Sequence, residues 1–170
     1  MAKPARRASA ASASQLSIRD LISYRLSRTA SLMSRGAALR YRREFDVSLG
    51  EWRALALLAT GAPQSLIHLS RAAGLDKAQM SRVVTSLIDR HLVLREMSPS
   101  GGRAVELSLT KEGRRVYVGL IASAGERDRA FRAALGPAEL AVLNGALDKL
   151  ADAARLFIKD ESALTLADED

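Results

Sequence analysis

Residues 65–91 read SLIHLSRAAGLDKAQMSRVVTSLIDRH, and this stretch decides the fold. Ser65 is placed to cap a short helix that stops at Gly74, where a left-handed residue is wanted. Asp76 is placed to cap the next helix, with Gln79 at its third position and an apolar run of helical spacing after it. Two helices joined through a Gly-Leu turn predict a helix-turn-helix, whose recognition helix covers about residues 76–91.

The second of these helices has two chemically different faces at 100° per residue. One face is apolar around Met80, Val84 and Leu87, whereas the other is short, forked and mostly uncharged. Glutamine can read adenine bidentately, arginine can read guanine, and alanine can lie against a thymine methyl group. The polar face therefore indicates base recognition, with the alternative that Gln79 only completes the cap with Asp76.

Extended segments follow the helix-turn-helix. Residues 92–97 read LVLREM and residues 103–109 read RAVELSL, with SPSGG between them and apolar side chains alternating from Val105 to Leu109. This pattern predicts a β hairpin, or wing, over about residues 92–109. Arg103 directly follows two glycines and is the single charge of the predicted tip.

Long helices are predicted on both sides of this region. Leu16 to Phe45 has apolar residues at steps of three and four, which predicts one helix of roughly 40 Å. Ser48 and Glu51 have capping-box spacing for the next helix, and Thr110 and Pro137 begin two more. A narrow apolar seam and few aromatic residues favour a dimer over packing inside the monomer. The predicted dimerisation residues are Leu16, Ile18, Leu21, Ile22, Leu140, Leu143, Leu147, Leu150 and Phe157.

The predicted fold class is mainly α with a small antiparallel β hairpin, a winged helix-turn-helix flanked by long N- and C-terminal dimerisation helices. The predicted organisation is a flexible basic arm (1–15), an N-terminal dimerisation helix (16–45), the winged helix-turn-helix (46–110), C-terminal dimerisation helices (111–160) and an acidic tail (161–170).

Composition excludes several classes of function. No cysteine is present, and the two histidines, His68 and His91, lack ligand spacing, so no metal site and no cofactor are predicted. Paired carboxylates, a Ser/His/Asp grouping and a phosphate loop are absent, so an enzyme is not expected. No apolar run approaches a membrane span or a signal peptide, which predicts a cytoplasmic protein that does not bind membranes.

The net charge of +7 is unevenly distributed. Residues 1–15 carry +3, residues 16–64 and 65–115 carry +4 each, and residues 116–170 carry −4. A basic body with an acidic tail suits a polyanionic partner such as double-stranded DNA, while simple solubility is the alternative that charge alone leaves open.

Three stretches taken in order resemble the MarR family of transcription regulators: VSLGEWRALALLATGAP, LIHLSRAAGLDKAQMSRVVTSLIDRHLVLREM and GGRAVELSLTKEG. The resemblance covers about residues 45–115. It implies a homodimer that binds a palindromic operator, most often as a repressor, and that releases DNA when a small phenolic or aromatic carboxylate ligand binds. The predicted DNA contacts are Ser65, Ser70, Lys77, Ala78, Gln79, Ser81, Arg82, Thr85, Ser86 and the wing residue Arg103. The predicted ligand contacts are Arg25, Arg28, Ser34, Trp52 and Arg53, although Trp52 is also suited to a scaffold role.

Two positions depart from the family pattern. Gly101 and Ser98 stand where acidic residues commonly hold the wing arginine, so the tip is expected to be mobile and to order on DNA. His91 stands where glycine is usual, and histidine adopts a left-handed conformation at modest cost. Arg90 and Arg95 are expected either to contact the DNA backbone or to pair with Asp89 or Glu96.

The alternative function is a winged-helix module for protein interaction or DNA architecture, without a small-molecule effector. An exposed apolar patch on the recognition helix would favour protein interaction, and the sequence shows a polar face there instead.

Overall fold

The structure, a computed structural model, describes residues 16–97 and 105–167, without the side chains of residues 165–167. The chain begins with a 3-10 turn (Ile18–Asp20), which four helices follow: α1 (Ile22–Phe45), α2 (Leu49–Gly61), α3 (Leu66–Ala73) and α4 (Lys77–Asp89). Two antiparallel strands come next, β1 (Val93–Met97) and β2 (Val105–Leu109). The last two helices are α5 (Lys111–Ala133) and α6 (Pro137–Ala167). The predicted mainly α fold with one β hairpin is confirmed.

The first long helix starts later than predicted. Ser17 and Asp20 form a reciprocal capping box, in which the Ser17 N–H donates to Asp20 Oδ2 at 3.2 Å. The Asp20 N–H also donates to the Ser17 carbonyl at 2.9 Å, which closes the turn between them. Leu21 is extended, with ψ at 127°, and separates this turn from α1. The predicted helix over residues 16–45 is therefore a helix over 22–45, because local hydrogen bonds stop the six residues before it from joining the helix.

The other predicted caps lie where the sequence places them. The Ser48 N–H donates to Glu51 Oε2 at 2.7 Å, and the Glu51 N–H donates to Ser48 Oγ at 3.2 Å. The His68 N–H donates to Ser65 Oγ at 3.2 Å, and Gly74 ends α3 with φ at 65°. These caps fix the boundaries of α2 and α3, and so the geometry of the turn that leads into α4.

The first unit of the chain ends at Ala124. Within it, a single apolar cluster contains side chains from each of the first five helices and from the hairpin. From α4, Met80, Val84 and Leu87 enter this cluster and are buried. The recognition helix is thus fixed on one side by apolar packing. The other buried apolar members are Ala37, Tyr41, Val47, Ala54, Leu55, Leu58, Leu69, Leu92, Val93, Leu107 and Leu120.

The loop between α2 and α3 anchors the hairpin. The Gln64 N–H donates to the Leu107 carbonyl at 3.0 Å, and the Leu107 N–H donates to the Gln64 carbonyl at 2.9 Å. The Gln64 side-chain amide also donates to the Leu57 carbonyl at 2.9 Å. Gln64 therefore adds one bridge to the free edge of β2 and ties the base of the wing to the helix-turn-helix.

The second unit starts at Gly125 and contains the end of α5 and all of α6. The Gly136 N–H donates to the Glu139 carboxylate at 2.7 Å, so this acidic residue caps the start of α6. The helix begins at Pro137 as predicted but continues to Ala167, into the stretch predicted to be an acidic tail. Its described side chains are exposed, apart from half-buried Leu140.

Candidate nucleic-acid interface

The outer face of α4 is exposed and carries most of the predicted DNA contacts. Its N-terminus is capped by Asp76, whose Oδ1 accepts the Gln79 N–H at 2.7 Å. Opposite the buried Met80, Val84 and Leu87, six predicted contacts are exposed: Lys77, Ala78, Gln79, Ser81, Arg82 and Thr85. The structure therefore brings these six residues together on one solvent-facing surface of a single helix.

The side chain of Gln79 takes no part in the Asp76 cap. At Ser48 the cap is reciprocal, with the Glu51 carboxylate accepting the Ser48 N–H, whereas at Asp76 only the backbone N–H of Gln79 is bonded. In the described part of the chain, Lys77 and Arg82 form no ion pair either. Three polar side chains of this surface are thus available to an external partner.

Ser86 occupies a different place from the other predicted contacts on α4. Its side chain is half-buried, and its hydroxyl donates to Glu51 Oε1 at 2.7 Å. The hydroxyl is therefore occupied inside the protein. Ser86 is therefore not among the proposed DNA contacts.

The two predicted DNA contacts at α3, its N-cap Ser65 and Ser70, also differ from each other. Ser65 is exposed at the start of the helix, where the first N–H groups of a helix favour an anion. Ser70 is only 5% exposed, and its hydroxyl donates to the Ile67 carbonyl at 2.9 Å. Ser65 stays among the proposed contacts, while burial and an internal hydrogen bond remove Ser70 from them.

The hairpin pairs Val93 with Leu109 and Met97 with Val105 in an antiparallel register. Leu107 is buried and Leu109 packs against the core. Val105 is only half-buried, like Glu106 and Ser108, so burial distinguishes the predicted apolar face at Leu107 alone. Arg103 and the glycine-containing tip lie outside the described residues, as does the N-terminal arm. The prediction that Arg103 contacts DNA therefore stays a prediction.

The junction between α4 and β1 has the left-handed residue that the sequence predicted. His91 has φ at 56°, its N–H donates to the Ile88 carbonyl at 2.8 Å, and its own carbonyl accepts the Thr110 hydroxyl at 2.8 Å. Because Thr110 also caps α5 through the Gly113 N–H at 2.8 Å, this junction joins the recognition helix, the wing and α5.

Arg95 of β1 lines a small cavity between α4 and the hairpin, together with Ser81 and Thr85. The cavity has a volume of about 130 Å³. The Arg95 side chain is exposed at its edge. This arrangement places a cation next to the outer surface of α4.

The predicted ligand contacts are not all brought together. Trp52 and Arg53 line an open depression of about 290 Å³ with residues of α3. Arg25, Arg28 and Ser34, on α1, are not among its lining residues. Trp52 stacks on Tyr117 with ring centroids 6.2 Å apart and contacts Tyr41 at 5.3 Å, which supports its predicted scaffold role.

The predicted dimerisation residues leave apolar surface exposed at both ends of the chain. At the N-terminal end Leu16, Ile18, Leu21 and Ile22 are exposed, and on α6 Leu143, Leu147, Leu150 and Phe157 are exposed, with Leu140 half-buried. Apolar faces of this extent are typical of protein interfaces.

Acidification should destabilise the fold through Glu51. Burial opposes charge on this carboxyl, but the Ser48 N–H, the hydroxyls of Ser86 and Ser48, and Arg90 outweigh it, so the pKa of Glu51 lies below its ordinary value of 4.5. A group with a lowered folded pKa stabilises the fold above its unfolded pKa, and this contribution is lost as the pH falls through the folded pKa. When the pH is lowered from about 7 to below 4.5, the free energy of unfolding should therefore fall more in wild type than in Glu51→Gln. Denaturant unfolding at both pH values measures this difference. Equal losses in the two proteins would contradict this prediction.

No helix in residues 16–97 or 105–167 is long and apolar enough to cross a membrane. Over the same residues, no three histidine or acidic side chains are grouped so that they could hold a metal ion.

Residues 45–104 match the sequence model of the MarR family, from the last residue of α1 to the residue before β2. Among curated proteins, no sequence matches the chain significantly.

Solved structures share the fold over most of the chain. A MarR/EmrR family transcriptional regulator from Acinetobacter sp. ADP1 is 23% identical, covers 83% of this chain and 99% of its own, and has a TM-score of 0.76. MepR of S. aureus, solved as a DNA complex, is 16% identical with coverages of 78% and 98% and a TM-score of 0.72. BpsR of Bordetella bronchiseptica is 20% identical with coverages of 81% and 98% and a TM-score of 0.70.

Proposed function

We propose that the chain is a member of the MarR family of transcription regulators, because residues 45–104 match the sequence model of that family. As such a member, it would be a homodimeric repressor that binds palindromic duplex DNA in the cytoplasm without acting as an enzyme. The observation that carries the proposal is the outer face of α4, where Ala78, Gln79 and Arg82 are exposed together. Side chains of these types read base edges in the major groove.

The packing of α4 supports this use. A helix that reads DNA has to present its outer face from a fixed position, and α4 is held by an apolar cluster on its inner side and a cap at its N-terminus. The structurally similar MepR of S. aureus was solved as a complex with DNA. Ser65 and Thr85 are the proposed phosphate contacts, which position the helix without reading sequence.

A dimer would present two copies of α4 to two half-sites of a palindrome. The exposed apolar residues of α6 support such an assembly, because Leu143, Leu147 and Leu150 recur at steps of three and four along one side of the helix.

The proposed effector is a small aromatic or phenolic carboxylate. Regulation of DNA binding by 6-hydroxynicotinic acid, an aromatic carboxylic acid, was described for BpsR of Bordetella bronchiseptica. In this chain Trp52 and Arg53 line an open depression and offer an aromatic surface and a cation to such a ligand.

Substitutions on α4 should separate sequence reading from general affinity. We expect Arg82→Ala and Gln79→Ala each to relax specificity by about 1 to 3 kcal/mol, because each removes a base contact. Thr85→Ala should weaken binding to all sequences alike, because it removes a phosphate contact. The measurement is a titration of each variant on a duplex selected by wild type from a random pool and on random duplex. Equal losses on both duplexes in all three variants would rule out the assignment of α4 as the base-reading helix.

A further inference from the structure

The guanidinium of Arg90 lies where the ends of three helices meet. Its Nη1 donates to the Asp46 carbonyl at 2.8 Å, and its Nη2 donates to the Phe45 carbonyl at 3.5 Å. Nη1 also lies 3.4 Å from Glu51 Oε1. Phe45 ends α1, Asp46 caps it, Glu51 lies in the first turn of α2, and Arg90 caps α4. One side chain therefore ties the end of the recognition helix to the corner between α1 and α2.

A second residue of α4 joins the same carboxylate. Ser86, one turn before Arg90, donates its hydroxyl to Glu51 Oε1 at 2.7 Å. The side chain of Glu51 is only 7% exposed and that of Arg90 is 31% exposed, so water screens this pair less than the exposed ion pairs elsewhere in the chain. Glu51 is thus held by two groups of α4 and by the N-terminus of its own helix.

The corner that Arg90 binds has an unusual backbone. Asp46 has φ at 53°, a left-handed conformation that residues other than glycine rarely adopt. The carbonyls at the end of α1 carry the negative end of the helix dipole, so a cation is favourable there. Arg90 therefore binds the Phe45 and Asp46 carbonyls, whose positions depend on the left-handed conformation of Asp46.

We propose that Arg90, Glu51 and Ser86 form a clamp that positions the recognition helix for base reading, and that Arg90 itself contacts no DNA phosphate. The inference rests on the proposed function, since it concerns how α4 meets DNA. Bidentate base contacts need a defined approach of the helix, so a helix freed at its C-terminal end reads bases less well. The three are positioning residues, because they act through Gln79 and Arg82.

The sign of one substitution separates this role from simple electrostatics. Glu51→Gln removes a negative charge from a protein that binds a polyanion, so electrostatics alone would tighten binding to every duplex. If the clamp positions α4, the same substitution should instead weaken binding to the specific duplex. Arg90→Lys gives a second distinction: lysine keeps the charge that a phosphate contact needs, but it lacks the planar fork that reaches acceptors on separate helix ends.

The experiment uses full-length Glu51→Gln, Arg90→Lys, the double variant and Ser86→Ala. The matched controls are Glu112→Gln and Arg115→Lys, which alter an exposed ion pair of α5 at 2.6 Å. Affinities for the wild-type-selected duplex and for random duplex are titrated across salt, and thermal unfolding is followed in parallel. We expect the first two variants to lose about tenfold in specific affinity, with the double variant no worse than either, because the groups act as a unit. Random-duplex affinity should not weaken in any variant: it should change alike in Glu51→Gln and Glu112→Gln, which lose the same charge, and stay at the wild-type level in the two lysine variants. Both controls should keep the wild-type preference for the specific duplex.

Several results would overturn the clamp. Tighter binding of Glu51→Gln to both duplexes, or wild-type affinity in Arg90→Lys, would assign Arg90 to phosphate binding. Lower thermal stability with unchanged specific affinity would leave only a structural role. If both variants fail to fold, Ser86→Ala decides, and unchanged specificity in that variant rejects the clamp. A wild-type protein that prefers no duplex would overturn the proposed function and this inference together, whereas preference in wild type with unaffected variants overturns the clamp alone.

Discussion

Leu147→Asp is expected to convert the proposed dimer into monomers and to reduce affinity for a palindromic duplex by about 100-fold or more, because two linked half-site contacts become one. Leu147 is 41% exposed in the single chain and lies between Leu143 and Leu150 on one side of α6. A carboxylate there would lose its water in the dimer without gaining a partner. Analytical ultracentrifugation and a binding titration on the same samples measure the two effects.

Leu156→Asp is the matched control for this change. Leu156 is nine residues further along α6, which places it on the opposite side of the helix, and it is 64% exposed. The same substitution there should leave the dimer and its DNA affinity intact. A dimeric Leu147→Asp protein, or a monomeric Leu156→Asp protein, would show that the seam lies on another face of α6.

Gly113→Ala is expected to destabilise the fold by about 3 kcal/mol or more, because the added methyl group has no space. A Cβ at this position would overlap the carbonyl oxygen of Leu92, which lies between α4 and β1. That carbonyl already accepts the Thr110 N–H at 3.1 Å. Either α5 or the base of the wing would have to move, and both are backbone.

Gly36→Ala is the control for Gly113→Ala, since a Cβ at Gly36 of α1 meets no atom within 4 Å. Alanine is favoured over glycine inside a helix, so this variant should be neutral or more stable by up to about 1 kcal/mol. Denaturant unfolding gives both free energies of unfolding. A Gly113→Ala protein as stable as wild type would contradict the close approach of α5 to Leu92.

The helix boundaries were largely predictable because they depend on neighbours in sequence. Ser48, Ser65 and Asp76 each accept an N–H three residues ahead, and such short-range bonds follow from residue type and spacing alone. The start of α1 was wrongly predicted because the capping box of Ser17 competes with the apolar periodicity that continues through it. The bridge of Gln64 to Leu107 joins residues far apart in sequence, and no local pattern marks it.

In the candidate site, too, local features were predictable and contacts between residues distant in sequence were not. The exposure of Gln79 and Arg82 followed from helical periodicity, because one face of α4 is apolar. The inward bond of Ser86 to Glu51 spans 35 residues, and that of Arg90 spans 39, so spacing could not reveal them. For Arg90 the sequence left two alternatives, a contact with the DNA backbone or an ion pair with Asp89. The structure pairs it with Glu51 and Asp46 instead, which are distant in sequence. The role of Arg103 stays a prediction, since it lies outside the described residues.

The central claim is that α4 reads a specific DNA sequence from a basic protein surface. A titration of wild type on the duplex that flanks its own gene and on random duplex of equal length, repeated across salt concentrations, tests it most directly. We expect affinity for both duplexes to fall steeply with salt, because neutralised phosphates release counterions, and the flanking palindrome to be preferred by about 1,000-fold or more throughout. Equal affinity for the two duplexes at every salt concentration would contradict the account.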